Sequence, residues 1–129
     1  MALQVEVVSP ERILYSGEAD MVVCRTVSGG EVAFLTGHAP FVGALDIGVV
    51  RIKTGEGIEE AAVHGGFVEV RDDHVTVLSD VAELASQIDV ERARRAKEAA
   101  ERKEKDADDT EAEAALRRAH VRLTVAGNA

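Results

Sequence analysis

Aromatic residues are scarce: the 129 residues hold no tryptophan, one tyrosine and three phenylalanines. A stacking platform for single-stranded nucleic acid is thereby excluded, because such sites seat successive bases on aromatic faces. Cysteine occurs once, at Cys24, so neither a disulfide framework nor a cysteine-based zinc site can be built. Cys24 lies in the apolar run Met21-Val22-Val23-Cys24 with no activating group beside it, and reads as a buried structural thiol. No apolar run approaches the roughly 18 residues of a membrane span. The opening Met1-Ala2-Leu3-Gln4-Val5-Glu6 lacks the charged and apolar regions of a signal peptide. The expectation is a soluble, cytoplasmic chain, which can still serve a membrane complex through another subunit. Bases are also in deficit, 15 against 24 acids, for a net charge of −9. Such a surface repels nucleic-acid phosphates and anionic lipid alike.

What is present is unevenly distributed. Residues 1–87 carry 14 acids and 5 bases, whereas residues 88–129 carry 10 of each. Ten of the eleven glycines and both prolines precede residue 88. Alanine and charged residues dominate beyond it. The composition therefore divides the chain into residues 1–86, a β domain, and residues 87–129, a helical one.

In the first part, Leu3-Gln4-Val5-Glu6-Val7 alternates with period two, as a half-buried strand does, and Pro10 ends it. Ser16-Gly17-Glu18 and Ser28-Gly29-Gly30 read as turns. Thr54-Gly55-Glu56-Gly57 reads as a hairpin, and Arg71-Asp72-Asp73 as a tight turn between two further strands. Short strands at this spacing predict an antiparallel β-sandwich or flattened barrel. In the second part, Asp89 suits an N-cap, and Val90, Ala93, Ala96 (or Lys97) and Ala100 recur at helical spacing. The charged stretch 103–109 reads as a bend. Thr110-x-x-Glu113 is a capping box that restarts a helix, with Ala112, Ala115, Leu116, Ala119 and Leu123 on one stripe. The predicted class is α+β: a sandwich followed by an antiparallel α-helical hairpin. Alanine buries little apolar area, so at about 25 cal/mol per Å² the hairpin docks weakly, although its sequence is strongly helix-forming. A weakly docked, intrinsically helical element suits a conformational switch.

No constellation for catalysis stands out. Phosphate-loop and His-Glu-x-x-His patterns are absent, and the four histidines (38, 64, 74, 120) are dispersed. His64-Gly65-Gly66 lacks the Gly-x-Ser-x-Gly that would make it part of an esterase site, and the glycines read instead as a bulge. Glu59-Glu60 and Asp72-Asp73 read as hairpin tips. On the residues alone the chain is a β domain with a mobile helical arm, a binding or regulatory module.

Three segments in register carry a resemblance. They are Glu31-Val32-Ala33-Phe34-Leu35 leading into Gly37-His38-Ala39-Pro40, Gly65-Gly66-Phe67-Val68-Glu69-Val70 with Val75–Asp80, and Ile88-Asp89-x-x-Arg92-Ala93. In order, spacing and the change from strands to a helix pair, essentially the whole chain resembles the epsilon subunits of F-type ATP synthases. Thr36 stands where the family often has proline, and Asp46-Ile47 replaces a frequent Pro-Gly. The resemblance implies a non-catalytic subunit of the rotor stalk, peripheral on the cytoplasmic face of a bacterial membrane. It implies that the sandwich holds the gamma subunit and meets the c-ring, coupling proton flow to rotation. The hairpin either folds on the sandwich or extends along gamma toward the alpha and beta subunits, where it restrains ATP hydrolysis. About 40 residues of straightened helix span roughly 60 Å.

Residue by residue, the resemblance places Glu31, His38, Ala39 and Pro40 at the c-ring. Arg94, Arg95, Lys97, Arg102, Lys103 and Lys105 could meet acidic segments of the beta subunit; interleaved Glu98, Glu101 and Glu104 equally fit a solvated helix with internal pairs. Ile88-Asp89-x-x-Arg92-Ala93, with Glu83 and Arg122, resembles the ATP site of family members that bind ATP as a regulatory ligand. Positions 99 and 126 are alanine here, where strong binders carry arginines. No cofactor or metal is required by this reading. The alternative from another class is a free-standing ATP-sensing module.

Overall fold

The computed structural model describes residues 2–104 and 110–127. Eight strands precede two α-helices: β1 (Leu3–Val8), β2 (Ile13–Ala19), β3 (Met21–Thr26), β4 (Gly30–Leu35), β5 (Phe41–Thr54), β6 (Gly57–Arg71), β7 (His74–Leu78) and β8 (Ala82–Leu84). A short 3₁₀ turn, Ala85–Gln87, leads to α1 (Val90–Glu104) and then α2 (Thr110–Gly127). The ladder runs β2-β1-β7-β6-β5-β3-β4, with β8 also paired to β6.

One continuous ladder becomes two layers because β5 and β6, 14 and 15 residues long, turn over the edge of the core. The burial parity of β6 shows the corner. Ala61 and Val63 point inward before it, and Val68 and Val70 after it, so the inward set moves from odd to even positions across Gly65-Gly66. In β5 the same change separates Leu45 from Val50 and Ile52. Strands that change layer at a bend are a common way to close a sandwich. Gly65 and Gly66 have φ of +92° and +115°, a region that side chains disfavour. The first layer is β2, β1, β7, the end of β6 around Phe67–Val70 and the start of β5 around Phe41–Leu45. The other is β4, β3, the remainder of β5 and β6, and β8. Between them pack Leu3, Val5, Val7, Val75 and Val77 against Val22, Cys24, Phe34 and Ile52, all fully buried. Burial pushes the Cys24 thiol up to about 12.

Several local expectations hold. The β1 alternation is visible in burial, the β5–β6 hairpin closes at Thr54 and Gly57, and Asp72 and Asp73 form a tip with φ of +50° and +59°. Others are corrected. The sheet is mixed, since β1 and β7 run parallel, Val5 beside Val75. Ser16-Gly17-Glu18 is no turn but the middle of β2; the chain reverses at Ser9–Arg12 instead. Glu59 and Glu60 lie within β6, and Glu60 is buried against Arg51 at 3.1 Å. In α1 the buried positions are Ala93 and Ala100, with Lys97 half-buried between them and Ala96 and Val90 exposed. Helix α1 continues through Glu104, beyond the start of the expected bend; the rest of that bend, 105–109, lies outside the described residues.

Helix α2 lies on the outer face of the second layer, and α1 packs on α2. Asp89 caps α1 by accepting the Arg92 N–H at 3.1 Å.

Candidate functional site

Three surfaces carry the residues of interest. The first is the loop 36–40. The Gly37 N–H donates to Asp73 Oδ1 at 2.7 Å, which ties this loop to the β6–β7 turn. The His38 ring stands edge-on to Phe34 at 5.0 Å and to Phe41 at 6.3 Å, so it is held half-buried while Ala39 and Pro40 project into solvent. His38, Ala39 and Pro40 thus form one rigid prominence. Glu31 is not part of it. It sits at the far end of β4, paired with Arg51 at 3.3 Å.

The second surface is the seam between the sheet and α2. Its apolar part is small: Ala62, Ile88 and Val125 are buried together, with Val49, Ala85, Val121 and Ala126 beside them. Two ion pairs flank it. Arg122 Nε donates to Glu83 Oε1 at 2.5 Å, and Arg117 reaches Asp46 at 2.7 Å. Burial acts to raise the Asp46 pKa, but the Ile47 N–H, Arg117 and Arg25 outweigh it and hold the carboxyl below its usual value. Beside Glu83 lies His64, whose side chain is 3% exposed. Burial first, and the nearby Arg122 cation second, push its pKa down to about 4.

The residues of the candidate ATP site are brought together only in part. Glu83 and Arg122 bond to each other, and Ile88 lies under Val125. Asp89 serves as the helix cap, Ala93 is buried, and the exposed Arg92 makes no side-chain ion pair among the described residues. On α1, Arg94 pairs with Glu91 one turn away at 2.8 Å, and Arg95, Arg102 and Lys103 face solvent. Lys105 lies outside the described residues.

The third surface is one that sequence reasoning missed. On the outer face of the first layer, opposite α2, Ile13 pairs with Val8, Val8 with Leu78, Leu78 with Phe67 and Phe67 with Ala44. Ile13, Leu78 and Phe67 are 59%, 45% and 57% exposed, and Val42 nearby is 72% exposed. This is a continuous apolar row across five strands. Isolated exposed apolar residues are ordinary, but a contiguous patch of this kind marks an interaction surface. No sequence window contains it, because its members come from β2, β1, β7, β6 and β5. The only local signal was a large apolar residue at an outward position of a half-buried strand.

Among the described residues no helix is long and apolar enough to cross a membrane. Two family models match in tandem. Residues 2–85 match the beta-sandwich domain of the ATP synthase delta/epsilon chain, and residues 86–127 its long alpha-helix domain. The ATP synthase epsilon chain of Halalkalibacterium halodurans is 51% identical over 130 residues, covering 97% of either chain. That of Streptomyces griseus is 50% identical over 122 residues, covering 94% of this chain and 92% of the relative. Among solved structures, a chain of the Euglena gracilis mitochondrial ATP synthase (OSCP/F1/c-ring) superposes with a TM-score of 0.71 at 22% identity, covering 98% of this chain and 78% of that one. A chain from the central stalk and c-ring of the Tetrahymena thermophila enzyme gives 0.56 at 12% identity, covering 99% and 96%. At those identities the superpositions establish the shared fold. With both of its parts matched and half its residues identical to relatives of the same length, the chain belongs to the ATP synthase delta/epsilon family, among the epsilon chains.

Proposed function

We propose that this chain is the stalk subunit that joins the gamma subunit to the c-ring and uses its helical hairpin as a brake on ATP hydrolysis. The observation that carries the reading is the opposition of the two outer faces of the sandwich. One presents a preformed apolar row, and the other is covered by helices held through a small contact. A subunit that transmits torque needs the first, because a rigid joint requires a permanent, desolvated interface. A subunit that switches needs the second, because a large buried seam would never open. Exposed ion pairs such as Arg117–Asp46 contribute only about 0–1 kcal/mol each. The apolar part of the seam rests on three valines, an isoleucine and three alanines. Its docking balance therefore lies within reach of a ligand or partner that prefers one arrangement.

In this reading the row Ile13–Val8–Leu78–Phe67–Ala44 holds gamma, and the prominence His38-Ala39-Pro40 meets polar loops of the c-ring. The released hairpin turns its solvent-facing bases, Arg94, Arg95, Arg102 and Lys103, toward acidic segments of the catalytic head. ATP acts as a regulatory ligand that favours the docked hairpin. Arg92 and Arg122 would meet its phosphates as charge-assisted donors, and Glu83 would accept from the adenine amino group. That assignment requires Arg122 and Glu83 to exchange their mutual bond for the ligand.

The deciding experiment is reconstitution of the chain with the remaining subunits in proteoliposomes. Removal of residues 88–129 should leave proton-driven ATP synthesis and raise ATP hydrolysis. Unchanged hydrolysis would overturn the brake. Calorimetric titration of ATP into the whole chain, with Arg92→Ala as control, tests the ligand. Saturable binding lost in the variant supports it, and no binding up to millimolar ATP removes it.

A further inference from the structure

One side chain in the seam between the sheet and α2 has buried polar atoms that no described residue pairs. His64 follows Ala62 by two residues on β6, so both lie on the outer face that α2 covers. Among the described residues, neither Nδ1 nor Nε2 of His64 has a hydrogen-bond partner. Glu83 Oε1 stands 3.7 Å from Nε2, beyond hydrogen-bond reach, and Arg122 already donates to that oxygen. Buried polar atoms are seldom left unpaired, and a residue that is so placed calls for an explanation.

The charges around the ring come from every element that packs there. Arg118 and Arg122 approach from α2, and Glu83 from β8. Asp46 on β5 adjoins Ile47, the cross-strand partner of His64, but is committed to Arg117 and Arg25. Asp80, in the β7–β8 connection, lines the cleft beyond Gly65 and Gly66. The 3₁₀ turn contributes no charge, and α1 packs on α2. The ring therefore faces two cations and one carboxylate whose nearer oxygen is taken.

We propose that His64 is a proton-operated release for the C-terminal helices. Protonation adds a third cation beside Arg118 and Arg122, where the one facing carboxylate, Glu83, is already paired with Arg122, and the seam relieves this by letting α2 leave the sheet. The inference rests on the mobile-hairpin reading above, but not on ATP binding or on any partner.

The sign follows from linkage. With α2 docked, the His64 pKa is pushed down to about 4. With the sheet uncovered, the ring meets water and titrates near the ordinary value of about 6.5. Docking is thus at full strength above about pH 6.5 and weakens as the pH falls toward 4. Between pH 7.5 and 5.0 the docking constant should fall roughly thirtyfold, by the ratio of proton-binding polynomials for those two values. In the assembled enzyme, acidification on the side that holds this subunit would favour the extended hairpin.

The test uses the whole chain carrying Lys53→Cys on the sheet and Glu113→Cys on α2, both exposed positions, labelled for energy transfer. Cys24 is buried and stays unlabelled. Transfer should fall between pH 7.5 and 5.0, while backbone circular dichroism reports an intact sandwich. His64→Gln, which cannot be protonated, should keep transfer flat over that range. Proton NMR of the unlabelled chain at pH 7.5 to 4 reads the His64 ring itself and does not depend on a variant that folds. Identical pH profiles for His64→Gln and the parent would overturn the proposal. So would a His64 ring that titrates near 6.5 while α2 is docked. A ring that titrates near 4 in a chain whose transfer never changes would instead remove the hairpin's mobility, and the release with it.

Discussion

Gly65 and Gly66 offer a paired perturbation whose difference is fixed by the structure. Both have positive φ, +92° and +115°, so alanine at either is strained by about 1–3 kcal/mol. Their surroundings differ. A Cβ at Gly65 would meet only the Leu45 carbonyl oxygen, 3.9 Å away, whereas at Gly66 it would lie 2.1 Å from the Leu78 carbonyl oxygen and 3.0 Å from Ser79 Cα. Those neighbours are backbone of β7 and its exit, and cannot move aside without shifting the strand. Forced backbone displacement of this kind adds about 1–3 kcal/mol. Gly65→Ala should therefore cost about 1–3 kcal/mol and Gly66→Ala about 2–6 kcal/mol. Urea unfolding followed by circular dichroism measures both, with midpoints shifting and slopes unchanged. The larger loss approaches the whole stability of many domains, about 5–15 kcal/mol. The position also borders the apolar row, since β6 and β7 pair there at Phe67 and Leu78. On the proposed role of the row, Gly66→Ala should weaken gamma binding even where the chain remains folded. Equal losses for the two variants would refute the argument that close approach of β7, and not φ alone, requires glycine at the corner.

Phe67→Asp should reduce gamma binding more than tenfold with thermal stability nearly unchanged, since the side chain is largely exposed in the isolated chain; pull-down and calorimetry decide it. Arg122→Ala should weaken hairpin docking by about 1.5–3 kcal/mol, because its bond to Glu83 is charge-assisted and largely buried, and leave the unfolding of the sheet intact, read by energy transfer beside denaturation. Asp46→Asn should remove the acid sensitivity that Asp46 confers. Its pKa is held below the usual carboxylate value, so its contribution is present above about pH 4 and lost as the pH falls through its lowered pKa; the docking profile below pH 4 reports it. Cys24, with its pKa raised to about 12, should resist thiol reagents at pH 8 until the sheet unfolds. Rapid native-state modification would contradict the core assignment.

The sequence determined what depends on neighbours along the chain. Period-two alternation announced β1 because successive side chains must point to opposite faces. Asp89 announced the start of α1 because a carboxylate there accepts an otherwise unpaired amide. The rise in alanine and paired charges announced helices without saying what they rest on. The stripe expected on α2 includes Ala112 and Ala119, which are buried in the helix pair, while the face that meets the sheet runs through Arg117, Val121, Arg122 and Val125. Of the candidate site, Glu83 and Arg122 were named from resemblance, and the fold brings them within a hydrogen bond of each other.

Other features depend on register between distant segments and are legible only in the folded chain. The parallel pairing of β1 with β7 has no mark in either strand. The corner at Gly65-Gly66 reverses which side chains of β6 face the core, so a single periodicity read through it assigns half the strand to the wrong face. The apolar row exists because five strands align Ile13, Val8, Leu78, Phe67 and Ala44 side by side. His64 is a dispersed histidine in the sequence, and in the fold its ring is buried without a hydrogen-bond partner among the described residues. Local propensity is written in adjacent residues, whereas burial and charge environment are set by what the folded chain places against them.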